Sequence, residues 1–158
     1  MFKREFYLNQ IVKFKDTDFI KVLTGVRRSG KSVLMMLYKE YLEENGVSND
    51  NIIYMNFEDF TYQTITTDEK FRSAIQARLP KNSNKIYFLF DEIQAVENWQ
   101  KVVNSLRVSF DSDITITGSN ADMLSGELAT LISGRYIEIP IYPLSFREFL
   151  SVKKIDRN

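Results

Sequence analysis

The sequence contains no cysteine and no histidine. The first absence excludes disulfides and thiolate metal sites; the second removes the usual general base and the commonest transition-metal ligand. Acid–base chemistry in this chain therefore falls to carboxylates, lysines or water. An excess of one sign of charge is lacking too, because 21 Lys and Arg balance 21 Asp and Glu. A net charge of zero gives no support to a nucleic-acid partner held by overall electrostatics, while leaving a local patch open. No apolar run reaches membrane-spanning length and the N-terminus has no signal-peptide pattern, so no membrane partner is expected and the cytoplasm is the expected compartment. There is no internal repeat, low-complexity segment or linker. The 158 residues, 44% hydrophobic and 27% charged, read as one domain with a sizeable core.

What is present centres on Gly25-Val26-Arg27-Arg28-Ser29-Gly30-Lys31-Ser32, which fits the phosphate-binding pattern G-x-x-x-x-G-K-[ST]. Asp18 to Thr24 before it reads as a short buried strand, and Ser32 to Tyr38 after it as a helix. Gly25 and Gly30 permit backbone angles that let successive N–H groups curl round a phosphate. The helix adds its positive N-terminal end at the same spot. Lys31 can reach β- and γ-phosphates as a point charge, and the Ser32 hydroxyl can ligate Mg²⁺. Nucleotide contacts are expected at Gly25, Arg28, Ser29, Gly30, Lys31, Ser32 and Val33. Arg27 and Arg28 read either as phosphate contacts or as solvated loop residues. Lys31 reads as an exposed loop lysine of little weight for stability.

Strand and helix alternate along the chain. Arg4 to Phe14 carries Tyr7, Ile11 and Phe14 at helical spacing. The helix after the loop is expected to bury Val33, Leu34, Leu37, Tyr38, Tyr41 and Leu42 and to stop at Asn45-Gly46. Ile52 to Phe57 is a second strand, and a capping box from Thr66 to Glu69 opens a helix bearing Phe71, Ile75 and Leu79. Ile86 to Phe90 is a continuous apolar run, as in a strand covered on both faces. Trp99, Val102, Val103, Leu106 and Phe110 mark the next helix, Ile114 to Gly118 a fourth strand, Ser119 to Leu131 another helix, and Tyr136 to Ile139 a fifth strand. Ser145 and Glu148 form a second capping box. The pattern is α/β with a parallel sheet covered on both faces.

The apolar run ends in Asp91-Glu92, the Walker B pattern of an acidic residue closing a buried strand. Asp91 is placed to hold the Mg²⁺ shell and Glu92 to polarise an attacking water. A GTPase would carry Asn-Lys-x-Asp, but Asn84-Lys85 is followed by Ile86-Tyr87; a glycine two residues after Glu92 is replaced by Gln94. A small-molecule kinase would show an arginine-bearing lid, and none is evident. ATP hydrolysis with a dedicated glutamate fits better; the alternative is a non-hydrolysing module whose ATP-bound form selects a protein partner. In ATPases of the additional-strand class the fourth strand lies between the P-loop and Walker B strands. Ser119 or Asn120, after Gly118, then reads as a sensor of the γ-phosphate or the water, with helix capping as Asn120's other reading.

These stretches together resemble the AAA-type P-loop ATPases of bacteria and archaea that carry a C-terminal domain of uncharacterised function. The resemblance rests on TGVRRSGKSVL, FLFDEIQ with Trp99 beyond it, ITGSNADMLSGELATLISGRY and PLSFREFL, and spans nearly the whole chain. It implies a three-layer P-loop NTPase fold with five strands in the order 5-1-4-3-2, and an ATP-driven machine or switch. It also implies ATP and Mg²⁺ as ligands, an unidentified protein client, and room for a nucleotide-dependent homo-oligomer. The segment Arg4 to Leu8 resembles the family's N-terminal helix, which runs near the adenine. Arg135, between the fourth helix and fifth strand, takes the place of an arginine that reaches a neighbouring subunit's γ-phosphate; pairing with a carboxylate or capping of the preceding helix is its other reading. The sequence ends at Asn158, before the family's C-terminal part, so the expectation is of residues 1–158 as a single ATPase core.

Overall fold

The chain builds a five-stranded parallel sheet in the computed structural model, which describes residues 2–124 and 134–143. The strands are β1 (Ile20–Thr24), β2 (Ile52–Asn56), β3 (Ile86–Asp91), β4 (Ser112–Gly118) and β5 (Tyr136–Pro140). Their spatial order is β2-β3-β4-β1-β5 and every pairing is parallel. This is the expected order read from the other edge, with β4 between the strands that carry the P-loop and Asp91. The helices are α1 (Phe2–Lys13), α2 (Lys31–Glu44), α3 (Asp68–Gln76) and α4 (Trp99–Ser109). Among the described residues no helix is long and apolar enough to cross a membrane.

Period-2 alternation sends neighbouring side chains to opposite layers. On β3, Phe88 and Phe90 join Phe71 and Ile75 of α3 and Trp99, Val102, Val103 and Leu106 of α4. Tyr87 and Leu89 of the same strand join Tyr7 and Ile11 of α1 and Leu34, Met35, Tyr38 and Leu42 of α2. Such double coverage explains why all six residues of β3 are buried.

Three local expectations need correction. The cap of α3 is Thr67, whose hydroxyl accepts the Lys70 N–H at 3.3 Å, because the Thr66 carbonyl is taken by the Glu97 N–H. On α2 Met35 is buried whereas Val33 is 39% exposed, so the buried stripe is rotated from the one expected. The α2 stop is as read: Gly46 takes φ +91° and the Val47 N–H reaches back to the Leu42 carbonyl. Of the helix expected from Ser119 to Leu131, the described part is a 3₁₀ turn at Ala121–Leu124. Its remainder, and the capping box at Ser145 and Glu148, lie outside the described residues.

One feature of β1 runs against its apolar neighbours. Lys21 is fully buried and its ammonium lies 2.6 Å from Asp113 Oδ1 on β4, also fully buried. The Asp16 N–H donates to the other oxygen of Asp113 at 2.7 Å, and the Lys21 ammonium lies 3.5 Å from the Phe14 carbonyl. The pair thus fastens the turn after α1 to the sheet. Burial lowers the Lys21 pKa from its ordinary value, and Asp113 opposes that shift. Removing one partner of a buried pair strands the other's charge, so Lys21→Met is expected to lose about 3–5 kcal/mol in urea denaturation. Lys21→Met combined with Asp113→Leu is expected to lose less than Lys21→Met alone.

Candidate functional site

The parallel strands deliver the P-loop after β1 and Asp91-Glu92 after β3 to the same edge of the sheet, with the end of β4 between them. The loop backbone is turned by Gly25 at φ +150°, Arg28 at φ +65° and Gly30 at φ +98°. Gly25 has a second reason to lack a side chain: a Cβ there would run into the carbonyl oxygen of Ile141. That oxygen is held close because the Ile141 N–H donates to the Thr24 carbonyl at 2.7 Å. Gly30 is the N-cap of α2 and no side chain caps that terminus, which leaves the first-turn amides to serve an anion.

A cleft of about 490 Å³ opens over this loop. Gly30, Lys31, Ser32 and Val33 form its floor, and Arg4, Arg27, Arg28, Glu58 and Glu92 its sides. Four cationic side chains against two carboxylates make it electropositive in a chain whose net charge is zero. Anion binding is what such a cleft does best. A smaller hollow of about 180 Å³ shares Arg4, Arg28 and Gly30 with it and continues to Tyr7, Ser29, Leu34, Ile141 and Tyr142. The N-terminal helix therefore flanks the P-loop. A further hollow of about 550 Å³, between Asn49-Asp50 and Arg78 to Asn82, is lined by none of the P-loop or Walker B residues.

Lys31 is only 3% exposed, which corrects its reading as an exposed lysine. Its ammonium donates to the Gly25 carbonyl at 2.6 Å and to that of Val26 at 2.9 Å, and stands 3.7 Å from Glu92 Oε1. It braces the loop as well as facing the cleft. Arg27, 74% exposed, pairs with Glu58 at 2.6 Å and so ties the loop to the segment after β2. Asp91 and Glu92 differ in surroundings, as their places at a strand end require. Asp91 is fully buried, with the Thr117 hydroxyl donating to one oxygen at 2.6 Å and the Tyr54 hydroxyl to the other at 3.2 Å. Burial, then the Asp91 charge, push the Tyr54 pKa above its ordinary value, so this phenol remains a donor. Glu92 leaves the strand at φ +55° and lines the cleft. Its carboxylate receives the Ser119 hydroxyl at 2.8 and 2.9 Å and the Gln94 amide at 2.6 Å.

The donor set fits Mg·ATP. The floor offers a cation, helix-terminus amides and the Ser32 hydroxyl. Among the described residues no three acidic side chains gather as a cage for a metal. Asp91, with both oxygens engaged, is suited to an outer place in that shell.

Two expected residues are exposed. Asn120 is exposed, and it is Ser119 that touches Glu92. Arg135 is exposed at the start of β5, where its carbonyl accepts the Ile20 N–H at 3.0 Å. That is the opposite edge of the sheet from the P-loop, roughly 15 Å away along β1. Thr117, Gln94 and Glu58 were given no role from sequence. Thr117 and Gln94 flank recognised motifs, but no spacing rule links them to Glu92, and nothing in the sequence joins Glu58 to Arg27.

A family model described as "AAA domain" matches residues 17–150. The chain belongs to that family. AAA domains are nucleotide-binding modules, and this one is 62% identical over 156 residues to an uncharacterized protein of Haemophilus influenzae, covering 99% of the chain and 39% of that protein. An uncharacterized protein of Methanocaldococcus jannaschii is 40% identical over 138 residues, with 87% of the chain and 29% of that protein covered. The chain thus spans less than half the length of these curated relatives. Solved structures share the fold: AMPPCP-bound DnaA from Aquifex aeolicus gives a TM-score of 0.61 at 13% identity over 96% of the chain and 49% of DnaA. The Aeropyrum pernix ORC1 protein, solved in complex with DNA, gives 0.65 at 13% identity over 97% of the chain and 49% of ORC1.

Proposed function

We propose that this AAA domain binds Mg·ATP in the electropositive cleft and hydrolyses it, as the motor or switch of a longer protein. The observation that carries the reading is the meeting of Lys31 and Glu92, 3.7 Å apart, in one cleft at an uncapped helix N-terminus. The P-loop amides and Lys31 bind the phosphates and neutralise charge on the transferring phosphoryl. Ser32 and the outer-placed Asp91 hold Mg²⁺, which when bound draws electron density from the phosphate oxygens. Glu92 orients a water for in-line attack and takes its proton as the bond to the γ-phosphorus forms and ADP departs. That a distant fold neighbour was solved with AMPPCP supports the choice of an adenine nucleotide. Phosphate release from ATP, followed with Mg²⁺ and after chelation, tests the reading. Turnover that disappears with the metal is expected; tightly bound ATP without turnover is the signature of the non-hydrolysing module.

Arg135 enters this proposal only through a second copy, because its own cleft lies a strand's length away. As a finger acting in trans it neutralises charge on a neighbour's phosphoryl, an effect of ~10³–10⁵ in rate where such residues operate. Arg135→Ala is then expected to leave ATP affinity nearly unchanged and to slow turnover. Mixed with Lys31→Ala, it is expected to recover activity, since one copy supplies the loop and the other the arginine. No recovery in an assembly shown to be multimeric contradicts the trans role, as does a monomer at all concentrations with ATP.

A further inference from the structure

The site contains a buried clamp on Glu92 that its hydrolytic role does not by itself require. Glu92 stands at φ +55°, a conformation rare for a residue with a side chain, and the backbone is pinned there from β4. The Thr117 hydroxyl accepts the Glu92 N–H at 2.8 Å while donating to Asp91 Oδ1 at 2.6 Å. The left-handed corner starts the 3₁₀ turn Ile93–Ala95, and this turn brings Gln94 back over the carboxylate. The Gln94 Nε2 then lies 2.6 Å from Glu92 Oε2. The Ser119 hydroxyl is shared between Oε1 at 2.8 Å and Oε2 at 2.9 Å, and Oε1 stands 3.7 Å from the Lys31 ammonium.

Two further observations make this contact more than a chance approach. Gln94 Oε1 is buried with no hydrogen-bond partner. Exchanging the amide's N and O would set an acceptor against the carboxylate, so the donor must face Glu92 and the orphan oxygen is the consequence. Gly118 supplies the room: a Cβ there would strike the Met123 sulfur and come within 2.9 Å of Gln94 Oε1. Buried orphan acceptors are rare and call for a reason. Holding one carboxylate oxygen so that the other faces the cleft is such a reason.

We infer that Gln94, seated against the bare Gly118, is a positioning residue that aims the Glu92 carboxylate at the water of the hydrolytic step. The inference rests on the ATPase reading above and extends it, since that reading needs only that Glu92 be present. Gln94 does not line the cleft, so its loss is expected to act on kcat and to leave binding alone.

The test compares Gln94→Ala, Gln94→Met and Gly118→Ala with the wild type. Gln94→Met keeps the side chain's length without its donor and separates positioning from packing if the alanine variant folds poorly. Each is expected to lower kcat for Mg·ATP about 10- to 100-fold with KM little changed, a range typical of a slightly misaimed catalytic group. In a Glu92→Gln background Gln94→Met is expected to cause no further loss, and Gly118→Ala is expected to add little to Gln94→Met. A readout independent of turnover is the Gln94 side-chain amide resonance, expected to be shifted by its bond to the carboxylate and to move when Glu92 becomes Gln. Unchanged kcat in the Gln94 variants, or an equal loss with and without Glu92, overturns the inference. A wild type that binds ATP without turnover overturns the ATPase reading instead, and the amide resonance then decides the clamp: a resonance indifferent to Glu92→Gln overturns it.

Discussion

Lys31→Ala is expected to weaken ATP binding by roughly 10- to 150-fold, the equivalent of one hydrogen bond to a charged group. Two losses combine in that figure. The substitution removes the cation from the cleft floor, and it removes the ammonium that donates to the Gly25 and Val26 carbonyls at 2.6 and 2.9 Å. The loop that cradles phosphate is therefore slackened as well as discharged. Because Lys31 is buried, some loss of stability is expected also, at most about 2 kcal/mol, since the affected carbonyls lie on a partly exposed loop. Lys31→Met keeps much of the packed stem and is expected to lose affinity with a smaller change in Tm. Calorimetric titration with ATP, beside a thermal melt of each variant, reads both quantities. Near-native affinity in both variants contradicts the assignment of the phosphates to this loop.

Glu92→Gln is expected to leave ATP affinity almost unchanged and to lower turnover ~10²–10⁴-fold, the range for losing a positioned general base. The amide matches the carboxylate in size, and the Ser119 hydroxyl can still donate to its oxygen, so the corner at φ +55° should persist. What disappears is the capacity to take the water's proton. Asp91→Asn is expected to behave differently. Both Asp91 oxygens accept hydroxyl protons, from Thr117 and Tyr54, and an amide nitrogen must face one of those donors. The mismatch is buried and costs about 1–3 kcal/mol. It also loosens Thr117, which holds the Glu92 N–H, so Asp91→Asn should damage stability and rate together. Measured phosphate release and denaturation midpoints distinguish the two patterns.

The parts of this architecture legible in the sequence are those written in local pattern. The run Ile86 to Phe90 could only be a strand covered on both faces, and the loop Gly25 to Ser32 follows a rule of spacing. The strand order came from the family resemblance, since composition and periodicity say nothing about which strands are neighbours. Helix faces were harder. Val33 and Met35 are both apolar, and only the direction from which the sheet approaches α2 decides that Met35 is covered. Thr66 and Thr67 are equal as caps in sequence; the competing use of the Thr66 carbonyl by Glu97 decides between them. Long-range polar pairing was illegible altogether. Nothing near Lys21 announces that a lysine on a buried strand will meet Asp113, 92 residues later. The same holds at the site, where Asp91 and Glu92 were named but Thr117 and Gln94, which hold them, were not.

The fate of one ATP molecule per site separates hydrolysis from binding alone. In a single-turnover experiment the chain, in excess over ATP and with Mg²⁺ present, is mixed and quenched over time while bound nucleotide and free phosphate are counted. ATP is expected to be first bound and then converted to ADP and phosphate by the wild type, whereas Glu92→Gln is expected to bind the same amount and keep it as ATP. ATP that stays intact on the wild type rules out hydrolysis, and phosphate released equally fast by Glu92→Gln rules out Glu92 as the base.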